Sequence, residues 1–222
     1  MAEVIITGPE GRLEGQFHPA KDKGAPIALI LHPHPQQGGT MNNRVVYELY
    51  NIFAQRGFAT LRFNFRGVGR SQGEYDEGVG ELSDAATAMD WLQASNPDSG
   101  QCWVAGFSFG AWISMQLLMR RPEIDSFISI APPTNKYDFN FLAPCPSSGL
   151  LVHGAVDAMV PEEGTLALVK KLSAQKRIEI SYNLIKGANH FFHDKIDDLS
   201  KVVSKYIDKQ YKKVAVQKTT GE

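Results

Sequence analysis

Short β-rich runs alternate with longer stretches whose apolar residues recur at helical spacing, and this alternation organises the chain from residue 27 onward. Ahead of it, Val4–Thr7 and Arg12–Phe17 flank the turn sequence Gly8-Pro9-Glu10-Gly11, which makes them an antiparallel hairpin. Ile27–Leu31 is apolar throughout, as a strand buried on both faces must be, and Asn43–Arg56 then reads as a helix closed by Gly57. Ala59–Phe65 and Cys102–Phe107 are further strands. Between them Leu82, Ala85, Ala86, Met89 and Trp91-Leu92 mark a helix over Gly80–Gln93, stopped by Asn96-Pro97. The pattern continues with a helix over Ala111–Arg120, strands at Phe127–Ala131 and Leu150–His153, a helix over Thr165–Ser173 and a strand at Ile178–Ile185. Ile196–Tyr211 is a last amphipathic helix, and Lys212–Glu222 is polar enough to fray. Strands and helices in alternation imply an α/β fold, a largely parallel sheet covered on both faces. The one long aperiodic stretch, Pro132–Ser148, is too short for a separate lid domain. The expected organisation is a single domain over residues 1–211, its pocket rimmed by loops, with a polar tail at 212–222.

Composition narrows the functional classes. A hydrophobic fraction of 43% over 222 residues suits one well-buried core. With 23 basic and 24 acidic side chains the net charge is only -1, so no long-range field favours nucleic acid or an anionic membrane surface. Met1-Ala2-Glu3-Val4 lacks the basic stretch and apolar run of an export signal, and no apolar segment is long enough to cross a bilayer. Cys102 and Cys145 are too few for a disulfide framework and lack metal-site spacing, which fits a reducing cytoplasm. Cys102, beside Trp103 and Val104, reads as a small core residue. A small-molecule partner is the class left open.

Candidate chemistry centres on Gly106-Phe107-Ser108-Phe109-Gly110, at the junction of an expected strand and an expected helix. In that context G-x-S-x-G becomes a nucleophile elbow, and the glycines remove Cβ atoms that would collide with the backbone around the strained serine. A serine hydroxyl is a weak nucleophile at neutral pH and needs a base within reach and a carboxylate to orient that base. Leu150–Val156 is an apolar strand running into a turn that delivers Asp157, our candidate acid; Asp138, in the loop after the preceding strand, is its rival. The bland reading of Asp157 is a turn cap before Pro161. After the final strand, Lys186-Gly187-Ala188-Asn189-His190 places His190 to reach back as the base, with His193 as the alternative. His153, at a strand end, reads as a hydrogen-bonded structural histidine. Acyl transfer also needs two backbone N–H groups aimed at the oxyanion. Phe109 supplies the first; in His32-Pro33-His34-Pro35-Gln36-Gln37-Gly38-Gly39 the prolines have no N–H, which leaves His34, with Gln36 second. A metal site from His32 and His34 has no third ligand nearby in the sequence.

With these residues placed, the chain resembles the small bacterial α/β-hydrolases regarded as esterases, which are similar to dienelactone hydrolases and carboxylesterases. The likeness lies in His32-Pro33-His34-Pro35 with Gly38-Gly39-Thr40-Met41-Asn42-Asn43, in Asn64-Phe65-Arg66-Gly67-Val68-Gly69-Arg70-Ser71-Gln72-Gly73, in the elbow, and in Gly187-Ala188-Asn189-His190-Phe191-Phe192. It implies an eight-stranded, mostly parallel sheet, no cofactor, and the triad and oxyanion residues named above. His32-Pro33 stands where many relatives carry His-Gly. The Gly67–Gly73 segment has the wrong spacing for a dinucleotide or phosphate loop and reads as a tight structural turn. The expected activity is hydrolysis of a small ester or thioester through an acyl-enzyme. Phe107, Phe109, Trp112, Met159 and Phe191 stand near the triad as acyl-pocket or plain core residues. A peptidase with the same triad, or a ligand-binding protein without catalysis, are the readings to be tested against it.

Overall fold

Ile27, Leu29 and Leu31 send their side chains to one side of a central strand, while Ala28 and Ile30 go to the other, and all five are fully buried. That strand, β3 (Ile27–Leu31), lies inside an eight-stranded sheet of β1 (Ala2–Gly8), β2 (Gly11–His18), β4 (Ala59–Phe63), β5 (Cys102–Phe107), β6 (Ile124–Ile130), β7 (Ser148–Gly154) and β8 (Ile180–Ile185). The order across the sheet is β1-β2-β4-β3-β5-β6-β7-β8. The hairpin β1–β2 is antiparallel, β2 runs antiparallel to β4, and every later pairing is parallel. This is a computed structural model describing residues 2–220, with side chains through Tyr211.

Five helices cover the sheet: α1 (Arg44–Gln55), α2 (Val79–Ala94), α3 (Phe109–Leu118), α4 (Glu162–Ser173) and α5 (Ile196–Thr220). Helices α1 and α5 pack on the face that buries Trp103, Ala105 and Phe107; α2, α3 and α4 pack on the face that buries Cys102 and Val104. Burying Trp103 completely is worth about 1.5–3 kcal/mol or more of hydrophobic stabilisation. Asn43 caps α1 by accepting from the Val45 N–H (3.0 Å), and Gly57, at φ 83°, ends it.

The element order agrees with the periodicity, while several boundaries move. β6 begins at Ile124 rather than Phe127, and α4 begins at Glu162 rather than Thr165. Helix α3 starts at Phe109, not Ala111, because the turn at Ser108 feeds straight into it despite Gly110, a poor helix former. Helix α5 continues to Thr220, past Tyr211, and residues 221–222 of the polar tail lie outside the described residues. The loop between β6 and β7 buries Phe139, Leu142 and Cys145 against the body, so it forms no separate lid. No described helix is long and apolar enough to cross a membrane. All strands from β3 to β8 end at the same edge of the sheet, and the loops after β3, β5, β7 and β8 converge there.

Candidate active site

Between β5 and α3 the chain turns within a single residue. Ser108 sits at φ 53°, ψ −118°, a conformation that side-chain-bearing residues rarely adopt. A Cβ on Gly106 would run into the Gly110 carbonyl, and one on Gly110 into the carbonyls of Leu31 and His32, so both flanking glycines are sterically required. The Ser108 N–H is tied to the Ile130 carbonyl (2.9 Å), which anchors the turn to β6.

The loops after β7 and β8 bring two further side chains to that turn. Ser108 Oγ lies 3.1 Å from His190 Nε2, and His190 Nδ1 lies 2.7 Å from Asp157 Oδ2. A carboxylate only accepts, so the His190 proton sits on Nδ1, and Nε2 is left to accept from the serine hydroxyl. The other oxygen of Asp157, Oδ1, accepts from the Met159 and Val160 N–H groups (2.8 and 2.9 Å). Burial pushes the Asp157 carboxyl up, but the His190 hydrogen bond and these two amides outweigh it and hold the carboxyl below its ordinary range. The turn-cap and His190-orienting contacts therefore coexist on one side chain, through its two oxygens.

The rivals lie elsewhere. Asp138 Oδ1 accepts from the Asn140 N–H (2.8 Å), and its carbonyl accepts from Trp112 Nε1 (3.2 Å). His193 opens a short 3₁₀ turn, with its ring 5.5 Å from and stacked on Phe191, and Asn189 beside its Nδ1. His153 is fully buried between Thr165 Oγ1 (3.2 Å) and the Val160 carbonyl (2.9 Å). Val160 thus gives its N–H to Asp157 and its carbonyl to His153, so the buried histidine buttresses the turn that holds Asp157.

The loop after β3 supplies the remaining wall. His32 is completely buried; its Nδ1 donates to the Pro33 carbonyl (2.6 Å) and its Nε2 accepts from the Phe65 N–H (3.0 Å). Burial lowers its pKa to about 4, so it stays neutral, and neither nitrogen is left to bind a metal. The Gln36 N–H is spent on His34 Nδ1 (3.2 Å), so of the two oxyanion candidates in this loop His34 is the one whose N–H is not committed in this way. Phe109, the first residue of α3, has an N–H with no intrahelical acceptor. Behind this loop Asn64 accepts from the Met41 N–H (2.7 Å) and Arg62 donates to the Met41 carbonyl (2.5 Å). The Gly67–Gly73 segment is a turn: Ser71 N bonds the Val68 carbonyl (3.0 Å), and Gly69 sits at φ 59° against Glu14 and Asn64.

Together these loops enclose a cleft of about 290 Å³, counting its open mouth, lined by Ser108, His190, His34, Phe109, Met159 and Tyr137 among others. Phe107 is buried behind the His190 ring (5.2 Å), and Trp112 stacks on Tyr137 (4.1 Å, 16°), so these two shape the cleft from behind. Tyr75, Lys136 and Tyr137 could not be singled out from sequence alone. They lie in aperiodic loops and carry no motif, and the only available signal was that Pro132–Ser148 borders the pocket.

Residues 16–143 match the family model of the X-Pro dipeptidyl-peptidases (S15 family). An Agrobacterium tumefaciens protein of unknown function, described as a candidate α/β hydrolase, is 59% identical with a TM-score of 0.91, covering 100% of this chain and 98% of that one. The chain belongs to the α/β-hydrolase superfamily. A Xanthomonas campestris α/β serine hydrolase without a lid is 31% identical to this hydrolase with a TM-score of 0.84, covering 94% of each chain. An uncharacterized Rickettsia prowazekii protein is 51% identical over 211 residues, 93% of this chain and 89% of that one. The family match takes in the elbow and the loop after β3 but ends before Asp157 and His190.

Proposed function

We propose that this hydrolase cleaves small carboxylic esters or thioesters by two-step acyl transfer. Ser108 is the nucleophile, His190 the general base and then general acid, and Asp157 the carboxylate that orients His190 and stabilises its cation. The observation that carries this reading is the unbroken hydrogen-bond chain from Ser108 Oγ through His190 to Asp157, starting at a residue held at positive φ.

As Ser108 Oγ attacks the acyl carbon, its proton passes to His190 Nε2, and the carbonyl oxygen becomes an oxyanion facing the N–H groups of Phe109 and His34. His190 then gives that proton to the departing alcohol or thiol, leaving the acyl group on Ser108. Water enters, loses a proton to His190, attacks the same carbon, and the acid leaves as Ser108 regains its hydrogen. The enclosed part of the cleft beside Ser108 is small, in keeping with a short acyl group. The two cysteines are buried, in keeping with the cytoplasmic location included in this proposal.

The peptidase reading has the S15 match in its favour. A dipeptidyl-peptidase must hold a free amino terminus, and among the described residues no carboxylate lines the cleft to receive an ammonium. That favours the ester reading. The test is steady-state hydrolysis of graded 4-nitrophenyl esters and of an X-Pro anilide, by wild type and Ser108→Ala, with fluorophosphonate labelling of both. Ester hydrolysis and labelling that vanish in Ser108→Ala support acyl transfer. Faster turnover of the X-Pro anilide would favour the peptidase, and absence of labelling the non-catalytic reading.

A further inference from the structure

Lys136 and Tyr137 line the same cleft as Ser108 and His190, and no carboxylate stands with them among the described lining residues. Lys136 is the only side chain with a fixed charge in that lining, and among the described residues it has no ion-pair partner. Asp157 is nearly fully covered beneath His190 and does not face the cleft. Glu81, the nearest acidic group on the α2 side, is spent on the N–H groups of Asp76 and Gly78 (3.0 and 2.7 Å).

Beside Lys136, Tyr137 becomes a donor through a chain whose direction is fixed at its far end. The Gln36 N–H can only donate, so His34 Nδ1 accepts from it and the ring proton lies on Nε2. That Nε2–H faces the Tyr75 hydroxyl oxygen at 3.3 Å. Tyr75 must then turn its own hydrogen elsewhere, and its remaining partner is Tyr137. Burial and the Lys136 charge also keep the His34 ring neutral, which preserves this polarity. The Tyr137 hydrogen is the one left over, and Tyr137 lines the cleft with Ser108 and Phe109.

We propose that Lys136 and Tyr137 form a subsite for a substrate carboxylate, making anionic esters the preferred class for the Ser108 centre. The inference rests on the acyl-transfer reading above and adds a substrate class to it. The carboxylate belongs either to the acyl chain, as in a dicarboxylic acid monoester, or to the leaving group. An ammonium-bearing substrate would face Lys136 with like charge.

The test compares kcat/KM within two matched pairs, 4-nitrophenyl hydrogen glutarate against 4-nitrophenyl butyrate and 4-acetoxybenzoate against phenyl acetate. Wild type should favour the anionic member of one pair by about tenfold, a size fitting one charge-assisted contact discounted for exposure. The pair that responds tells which side of the ester carries the charge. Lys136→Met should cut the preference about fivefold and Tyr137→Phe about threefold, while Lys136→Arg retains most of it and rising salt erodes it. Equal kcat/KM within both pairs, or a preference untouched by Lys136→Met and Tyr137→Phe, overturns the subsite while leaving the esterase standing. If wild type hydrolyses none of the four and Ser108 takes no fluorophosphonate, the acyl-transfer reading itself falls and the subsite with it.

Discussion

Replacing Asp157 by asparagine separates the two jobs of this side chain. Its Oδ1 holds the Met159 and Val160 N–H groups, and an asparagine carbonyl oxygen can keep both bonds. The amide nitrogen must then occupy the position of Oδ2, 2.7 Å from His190 Nδ1, where it presents a donor to a donor. The imidazole resolves that conflict by moving its proton to Nε2, so hydrogen now points at Ser108 Oγ and the base has nowhere to accept. Loss of the correct tautomer in a comparable triad costs about ten-thousand-fold in kcat, equivalent to about 5.4 kcal/mol of activation free energy. Because the turn bonds persist, the fold should survive, with a thermal midpoint within a few degrees of wild type. The assay is kcat for a 4-nitrophenyl ester at neutral pH with circular dichroism as the folding control, and Asp138→Asn in parallel. The Asp138 side chain bonds only locally, to the Asn140 N–H, so its variant should keep activity within about twofold. An Asp157→Asn enzyme within tenfold of wild type, or an Asp138→Asn enzyme equally damaged, would refute the assignment of the acid.

Other consequences follow from the same geometry. His34 sits at φ −53°, close to the value proline enforces, so His34→Pro removes its N–H with little local strain, whereas His34→Ala keeps it. The proline variant should lose about 10²–10³ in kcat relative to the alanine variant, and parity between them would remove His34 from the oxyanion site. Gly106→Ala and Gly110→Ala each force a methyl into backbone carbonyls and should cost about 3 kcal/mol or more in chemical denaturation, against about 1 kcal/mol gained if the glycines were incidental. Burial lowers the His32 pKa from 6.5 to about 4, so the unfolded chain takes up this proton before the folded one does. Its contribution is fully present above pH 6.5 and is lost as pH falls toward 4, by about 3 kcal/mol. Denaturation curves at pH 7 and 4 should show that loss in wild type beyond any seen in His32→Gln; equal losses would contradict it.

What was legible in the sequence was whatever obeys a period or a fixed local geometry. The continuous apolar runs of β3 and β5 announced strands covered on both faces, and the glycines of the elbow announced a turn no other residue fits. Ser108, Asp157 and His190 were found because each follows a strand, and strands in a parallel sheet end at a common edge. The same reasoning separated His34 from its neighbours, since proline lacks an N–H. It did not see that the Gln36 N–H is occupied by the His34 ring itself, a contact two residues apart that depends on the 3₁₀ turn at Pro35–Gln37. Nor could it see Tyr75, which meets His34 from a distant loop, or Tyr137, which lines the same cleft. The boundaries of β6 and α4 moved for a related reason: Asp125-Ser126 interrupt the apolar run behind Ile124, and α4 opens on Glu162-Glu163, and packing rather than periodicity decides where such polar residues join an element.

The proposed base hangs from the sheet's last strand. β8 pairs with a neighbour on one side only, and most of its residues are partly or fully exposed, whereas β3 and β5 lie enclosed at the centre. His190 follows it, on a turn tied by the Val156 N–H to the Ala188 carbonyl (2.9 Å) and moored to the body by buried Ala188 and Phe192. Edge strands open at lower free energy than central ones. The two halves of the chemistry therefore differ in durability: the serine and its turn endure as long as the core does, while the histidine is withdrawn whenever the sheet frays at its margin. Warming should silence this protein before it melts it, so that lost turnover reports the loosening of a single strand.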